Sequence, residues 1–436
     1  MRRRAPAALL ATLALAAALA AGWFVLRPTA SAVEVLVDAE HVFPAVLALV
    51  RSAHEEVLVS VYMLGGSEEA AGSPNGIGRE LVDALAERQA AGVRVRVLST
   101  RFTPAADKRV AGTFAPEDVW LHPVYDYAVS KGLPILRPAA TAGSIDHTKY
   151  LVVDGREAIF GGMNLADAVA SNHDLMVRVA GPVVADLEVA FAASWSGAVR
   201  AHGPDPRAAT DAPLVAGAGW FAREVAVREA VARGADRCDL ALFVNTPHEH
   251  PVEPALLEVL AALGPGDRLQ VAMLLLTADT LVDAVIAAHE RGAAVSVTVD
   301  PERALYGVDC GAADNAPAVA KLLKAGVPTR FYAVAPGQEL HMKVFVATHG
   351  GERVWGVGSA NWAGSDMAKN SELYGLFRGC PDTAAQVSAL LESDFETHAA
   401  APSAEDASCF ANKRCRARLR KSCGTRLWTS WLQGRE

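Results

Sequence analysis

Leu81-Val82-Asp83-Ala84-Leu85-Ala86-Glu87-Arg88-Gln89-Ala90-Ala91-Gly92-Val93-Arg94-Val95-Arg96-Val97 is built like Leu281-Val282-Asp283-Ala284-Val285-Ile286-Ala287-Ala288-His289-Glu290-Arg291-Gly292-Ala293-Ala294-Val295-Ser296-Val297. Each copy opens with apolar residues at three-and-four spacing, which predicts a helix. A glycine then stands where the helix should end, and an alternating, strand-like run follows. Val57-Leu58-Val59-Ser60-Val61-Tyr62 and Leu269-Gln270-Val271-Ala272-Met273-Leu274, both strand-like, precede the two copies. A further helix, glycine and strand follow each, over 125–136 and 318–331. Strand, helix, strand, helix, strand predicts an α/β fold of two repeats, each a mostly parallel sheet flanked by helices. The repeats are expected to pack as two lobes about a pseudo-two-fold axis.

The proline- and glycine-containing stretch 201–207 divides a first repeat, 33–200, from a second, 208–398. A linker and a basic, cysteine-containing tail fill 399–436. The chain has 436 residues, of which 51% are hydrophobic and 21% charged, the balance of a globular protein. Its net charge of −8 is the wrong sign for a protein that lives on nucleic-acid backbones, so nucleic acid is the weaker substrate class.

Arg2, Arg3 and Arg4 precede an uncharged run over 5–26, and Ala30-Ser31-Ala32 has the small-x-small pattern of a signal-peptidase site. Residues 1–32 are therefore read as a signal peptide, or as a membrane anchor if left uncut. Either exports the rest of the chain. Six cysteines, Cys238, Cys310, Cys380, Cys409, Cys415 and Cys423, suit that compartment. Disulfides are expected, with fifteen pairings open, and no pair has the tight gap of a zinc knuckle.

Asp146-His147-Thr148-Lys149-Tyr150-Leu151-Val152-Val153-Asp154-Gly155 leads in the first repeat to Ile159-Phe160-Gly161-Gly162-Met163-Asn164. The second repeat has Leu340-His341-Met342-Lys343-Val344-Phe345-Val346-Ala347, then Gly356-Val357-Gly358-Ser359-Ala360-Asn361. A histidine and a lysine two apart on a strand share one face. Asp154-Gly155 is a tight turn that returns the glycines and the asparagine beside them. Lys149 and Lys343 supply positive charge for phosphate oxygens, with Asn164, Asn361, Ser359 and Gly162 as further phosphate-binding positions. Of two imidazoles, one can attack phosphorus while the other protonates the leaving oxygen. No metal or cofactor is required, because two lysines neutralise the phosphate. Asn172-His173-Asp174 and Asn370-Ser371-Glu372 follow, and Asp174 and Glu372 are assigned as the carboxylates that orient the histidines.

These motifs resemble the phospholipase D superfamily, whose pattern is His-x-Lys-x4-Asp followed by Gly-Ser/Gly-x-Asn. Gly161-Gly162-Met163-Asn164-Leu165-Ala166-Asp167 and His173-Asp174-Leu175 are similar to the bacterial cardiolipin synthase branch in particular. The resemblance spans roughly 33–398. It implies a phosphohistidine intermediate, resolved by water or an alcohol, with His147 as nucleophile and His341 as general acid. It also implies that each acid serves the histidine of the opposite repeat.

The second copy departs from the pattern. Thr348 stands where the motif aspartate is expected, and the hairpin is longer (343–358 against 149–161). An odd offset from the histidine turns that position away from the catalytic face, so Asp154 is read as a turn residue.

A lone His-x-Lys on a strand is ordinary surface, whereas two copies with matching flanks make a site. His248-Glu249-His250 lies between prolines and reads as a solvated loop. The tail cations Lys413, Arg414, Arg416, Arg418, Arg420, Lys421 and Arg426, with Trp428 and Trp431, suit either an anionic bilayer surface or a solvated extension. The expected protein is a monomeric enzyme acting on phospholipid, with an exported nuclease and a non-catalytic lipid-binding relative as alternatives.

Overall fold

The computed structural model describes residues 29–65, 76–100, 122–139, 144–203, 220–304 and 308–433. Most of the expected signal or anchor, and most of the stretch between the repeats, lie outside the described residues. The first repeat contributes β1 (Thr29–Val37), β2 (Glu56–Val61), β3 (Arg94–Ser99), β4 (Ile135–Leu136), β5 (Lys149–Val153), β6 (Glu157–Gly161) and β7 (Leu175–Ala180). The second contributes β8 (Asp236–Asn245), β9 (Arg268–Met273), β10 (Ala294–Val299), β11 (Thr329–Tyr332), β12 (Lys343–His349), β13 (Glu352–Gly358) and β14 (Glu372–Arg378), followed by β15 (Ala399–Ala400).

Among the described residues these strands form one sheet, in the order β15-β11-β10-β9-β12-β13-β14-β8-β1-β7-β6-β5-β2-β3-β4. Outward from the central β8–β1 pair the order is the same in both directions, so the duplication read in the sequence is a duplication of topology. The sheet is mixed, which corrects the expectation of mostly parallel repeats. Only β2-β3-β4 and β9-β10-β11 run parallel. The motif strands pair antiparallel: β5 with β2 and β6, β12 with β9 and β13. The cause is connection length. Parallel neighbours need a crossover, here the helices Ile77–Ala90, His122–Ser130, Asp279–Glu290 and Ala316–Lys324. β5 and β6, like β12 and β13, are joined by tight turns, which permit only the antiparallel arrangement.

Three layers of core follow from the alternation of side chains along the strands. Tyr150 and Val152 face a core shared by both repeats, while Leu151 and Val153 face the first repeat's outer helices. On β12, Val344 and Val346 join the shared core, and Phe345 and Ala347 face the second repeat's helices. Phe377 stacks on Phe160 at 6.3 Å across the pseudo-two-fold, and on its own repeat's Trp355 at 4.0 Å.

Ala30-Ser31-Ala32 lies within β1, where Ser31 and Ala32 are buried. A cut after Ala32 would leave Val33↔Asp236 alone of the β1–β8 register that joins the repeats. All six cysteines pair: Cys238–Cys380, Cys310–Cys423 and Cys409–Cys415. The last two fasten the tail, which forms the helices Ala404–Ala411 and Lys413–Gln433. No described helix is long and apolar enough to cross a membrane.

Candidate active site

The two motif strands and the two acid-bearing loops meet through short parallel backbone bridges, each linking one repeat to the other. Asp146 bridges to Ser371: Ser371 N donates to Ile145 O and His147 N to Ser371 O, each at 2.9 Å. His173 bridges to Leu340: His173 N donates to Glu339 O at 2.9 Å and His341 N to His173 O at 2.8 Å. Asparagine side chains reinforce both. Asn370 Oδ1 accepts from Ile145 N at 3.2 Å, while Asn172 accepts from Glu339 N at 3.0 Å and donates to its carboxylate at 3.1 Å.

The acid following each bridge is thereby delivered to the histidine of the opposite repeat. His147 Nδ1 lies 3.0 and 3.1 Å from the two Glu372 oxygens, and His341 Nδ1 lies 2.6 Å from Asp174 Oδ2. Asp174, Glu372, Lys149 and Lys343 are fully buried, and the His147 side chain is the more open ring, 12% exposed against 9% for His341. Lys149 Nζ donates to His147 O at 2.6 Å and Lys343 Nζ to His341 O. Lys343 Nζ also stands 3.1 Å from His341 Nδ1. Tyr62 sets its ring edge-on to His147, centroids 4.8 Å apart, and receives the Lys149 ammonium 5.2 Å from its centroid.

Burial and the crowding of like charges set the protonation states. Burial pushes Lys149 down to about 7 against the pull of Glu372, and it lowers Lys343 as well. Burial, with the Lys343 cation beside it, takes His341 down to about 4. Burial lifts Glu372 to about 8, opposed by Lys149 and by the Ser359 hydroxyl. The lysine of each repeat acts on the groups of the other, which places both motifs in one electrostatic site.

The expected phosphate-binding positions are mostly occupied by the protein itself. Ser359 Oγ donates to Glu372. A Cβ on Gly162 would come within 2.3 Å of Asp174 Oδ1, so this glycine makes room for the acid. Asn361 Nδ2 donates to Asp366 Oδ2 at 2.8 Å, and Asn164 Oδ1 accepts from Met63 N at 3.2 Å. The Asn164 amide nitrogen keeps no protein partner among the described residues and is the donor left for a ligand. Donor atoms of His147, Asp366 and Glu372 lie within 4.8 Å of one another, a spacing a metal ion could use. Asp366 is, however, committed to Asn361 and Asn370, and two lysine cations adjoin the group.

Asp154 is bound to backbone groups of the loop before β2. It sits at φ +53° in the turn, and its carboxylate accepts from the backbone N–H of His54, Glu55 and Glu56, at 2.9, 2.8 and 2.9 Å. In the second repeat the same tie is made from the other side. Asp267, in the loop before β9, accepts from His349 Nδ1 at 2.8 Å and from Gly350 N at 3.2 Å. Thr348 lies within the longer β12, paired with Arg353, and Gly350-Gly351 makes the turn at φ +57° and +88°. Thr348→Asp is therefore expected to leave turnover of a soluble phosphodiester within about tenfold of the unaltered chain. A larger loss would give this position a role that the geometry does not.

Sequence reading missed His173, Asp38 and Asp394. His173 Nδ1 binds Asp38 at 2.9 Å and Nε2 binds Asp394 at 3.0 Å, joining the first repeat to the last helix of the second. Burial alone would depress this imidazole, but the two carboxylates raise it to about 10. A pKa raised on folding stabilises fully below the unfolded value near 6.5 and fades as pH climbs through about 10. Between those limits the chain should lose on the order of a few kcal/mol in denaturant titrations, and His173→Gln should flatten the loss. Equal pH dependence in the two chains would sink this account. His248 and Glu249 are exposed in a turn held by Thr246, and among the described residues they belong to no metal-ligating group.

A family model described as cardiolipin synthase, PLD-like domain, matches residues 46–195 and 261–397, one segment in each repeat and more than half of the chain. The chain belongs to this family. As a phospholipase D-like enzyme it is 26% identical over 401 residues to cardiolipin synthase A of Pseudomonas syringae pv. syringae, covering 83% of this chain and 68% of that one. Its fold is similar to that of a phosphatidylserine synthase from Haemophilus influenzae, with TM-score 0.62, 13% identity and coverage of 94% and 97% of the two chains. It is also similar to a polyphosphate kinase from Porphyromonas gingivalis, with TM-score 0.52, 12% identity and coverage of 91% and 53%.

Proposed function

We propose that this phospholipase D-like enzyme transfers a phosphatidyl group between alcohols, taking it from a phospholipid such as phosphatidylglycerol. One observation carries the reading: two His-x-Lys hairpins whose histidines are each held at Nδ1 by the other repeat's carboxylate. With Nδ1 of each ring held by a carboxylate, Nε2 is the nitrogen assigned to phosphorus chemistry. In the first step one Nε2 attacks phosphorus, the P–O bond to the departing alcohol breaks, and the other imidazole protonates that alcohol. In the second step an acceptor hydroxyl gives its proton back to that imidazole and displaces the histidine. Lys149, Lys343 and Asn164 Nδ2 neutralise and hold the phosphate oxygens.

The family resemblance makes His147 the attacking ring and His341 the acid. The reverse split is favoured by the burial and the field of Lys343, which together hold His341 neutral in the free enzyme. An acid drawn from that state would make kcat/KM fall tenfold per pH unit above about 4, whereas a neutral nucleophile would leave it flat there. Trapping the phosphorylated histidine locates the adduct directly.

Labelled phosphatidylglycerol, phosphatidylcholine and single-stranded DNA, incubated with and without EDTA, test the substrate class. Cardiolipin is the expected product. Phosphatidic acid alone would indicate a hydrolase, and shortened DNA with intact lipid would overturn the lipid reading. Export is part of the same proposal, supported by the pairing of all six cysteines, which an oxidising compartment favours.

A further inference from the structure

The helix Lys413–Gln433 holds seven cations, Lys413, Arg414, Arg416, Arg418, Arg420, Lys421 and Arg426, and no acid, in a chain whose net charge is −8. Its two faces differ. Cys415, Leu419, Cys423 and Leu427 recur at every fourth position and face inwards. Leu419, Cys423 and Leu427 pack with Leu275, Val308, Cys310 and Ala313, and the Cys310–Cys423 disulfide fixes the seat. Cys409–Cys415 staples the helix to its predecessor. Three of the arginines are turned to the body: Arg416 donates to Phe410 O, Arg426 to Asp309 O, and Arg420 acts on buried Glu302. Lys413, Arg414, Arg418 and Lys421 are exposed and have no carboxylate partner among the described residues. Four like charges on one rigid face repel one another, so the face is relieved by a surface of dense negative charge.

The position of the helix gives that surface its relevance. Leu275 follows β9, whose last residue, Met273, pairs with Lys343, and Leu274 N donates to Met342 O at 2.9 Å. The helix is thus seated at the end of the sheet that carries His341 and Lys343. We propose that the face bearing Lys413, Arg414, Arg418 and Lys421 docks on an anionic lipid bilayer and holds this end of the sheet against it. This rests on the phospholipid reading of the site, and charge complementarity is what selects the bilayer.

The test compares the full chain with its K413Q/R414Q/R418Q/K421Q variant, both carrying His341→Ala so that no lipid is consumed. Co-sedimentation is measured with vesicles of phosphatidylcholine alone and of phosphatidylcholine with about one part in four phosphatidylglycerol. The uncharged run at 5–26 would favour neither vesicle if it bound lipid, so the readout is the preference for the anionic one. That preference should fall at least about tenfold in the variant, and the parent's preference should fall with added salt. An unchanged preference overturns the proposal. So does loss of single-stranded DNA binding in the variant with vesicle preference intact, which would make nucleic acid the partner. Because binding is read without turnover, the result stands whichever phosphodiester the site cleaves.

Discussion

His341→Ala and His147→Ala should each lower phosphodiester turnover by about 10⁴-fold or more, and the double variant should be no slower than either single one. The reason is geometric. Each ring is held at Nδ1 by a carboxylate from the opposite repeat, so the two are halves of one device. Removing the attacking ring leaves no covalent route, and removing the acid leaves an alkoxide as the leaving group. A factor of 10⁴ corresponds to roughly 5.5 kcal/mol of transition-state stabilisation, within what paired nucleophilic and acid catalysis supply. The check is steady-state turnover of phosphatidylglycerol, whose alkoxide leaving group needs the acid. Independent, multiplying losses would mean two separate sites, and full activity in either single variant would remove the paired-site reading.

Gly162→Ala is expected to cost about as much as Asp174→Asn, on the order of 10²–10³-fold in kcat with little change in unfolding temperature. A methyl group at Gly162 would lie 2.3 Å from Asp174 Oδ1, so the carboxylate must leave His341. Asp174→Asn keeps the shape but loses the charge that holds the Nδ1 proton. Ser359→Ala is the control. Ser359 already has a Cβ, so the variant loses only the hydroxyl, which donates to Glu372 and accepts from Leu373 N, and should fall by far less. Near-normal turnover in Gly162→Ala would show that Asp174 is free to relax without consequence.

A good part of this was legible in the chain because it is local. Gly92 and Gly292 end their helices at φ +92° and +100°, as the spacing of the preceding apolar residues required. His147 and Lys149, like His341 and Lys343, are two apart on strands, and period-two geometry alone puts each pair on one face. The parallel reading of the sheet failed for an equally local reason. Alternation identifies a strand but not its neighbour, and the tight turns after β5 and β12 dictated antiparallel partners.

Asp154 and Asp267 show where motif matching stops. The same tie between hairpin and neighbouring loop is made with the carboxylate on the hairpin in one repeat and on the loop in the other. Comparison of the motifs alone registers only a missing aspartate at Thr348. His173 stands beside Asp174 in the sequence, yet its partners, Asp38 and Asp394, lie far from it in the chain.

By itself the sequence determined that there are two α/β repeats, that each presents a histidine and a lysine from a hairpin, and that Asp174 and Glu372 follow them. The tertiary structure alone decided the strand order, the three disulfides and which acid reaches which imidazole. The residues pointed to no crossing, which only the family resemblance implied. The bridges that deliver Glu372 to His147 and Asp174 to His341 are made of main-chain N–H and C=O groups. Nearly every residue carries both groups, so no choice of side chain announces where such a bridge will form.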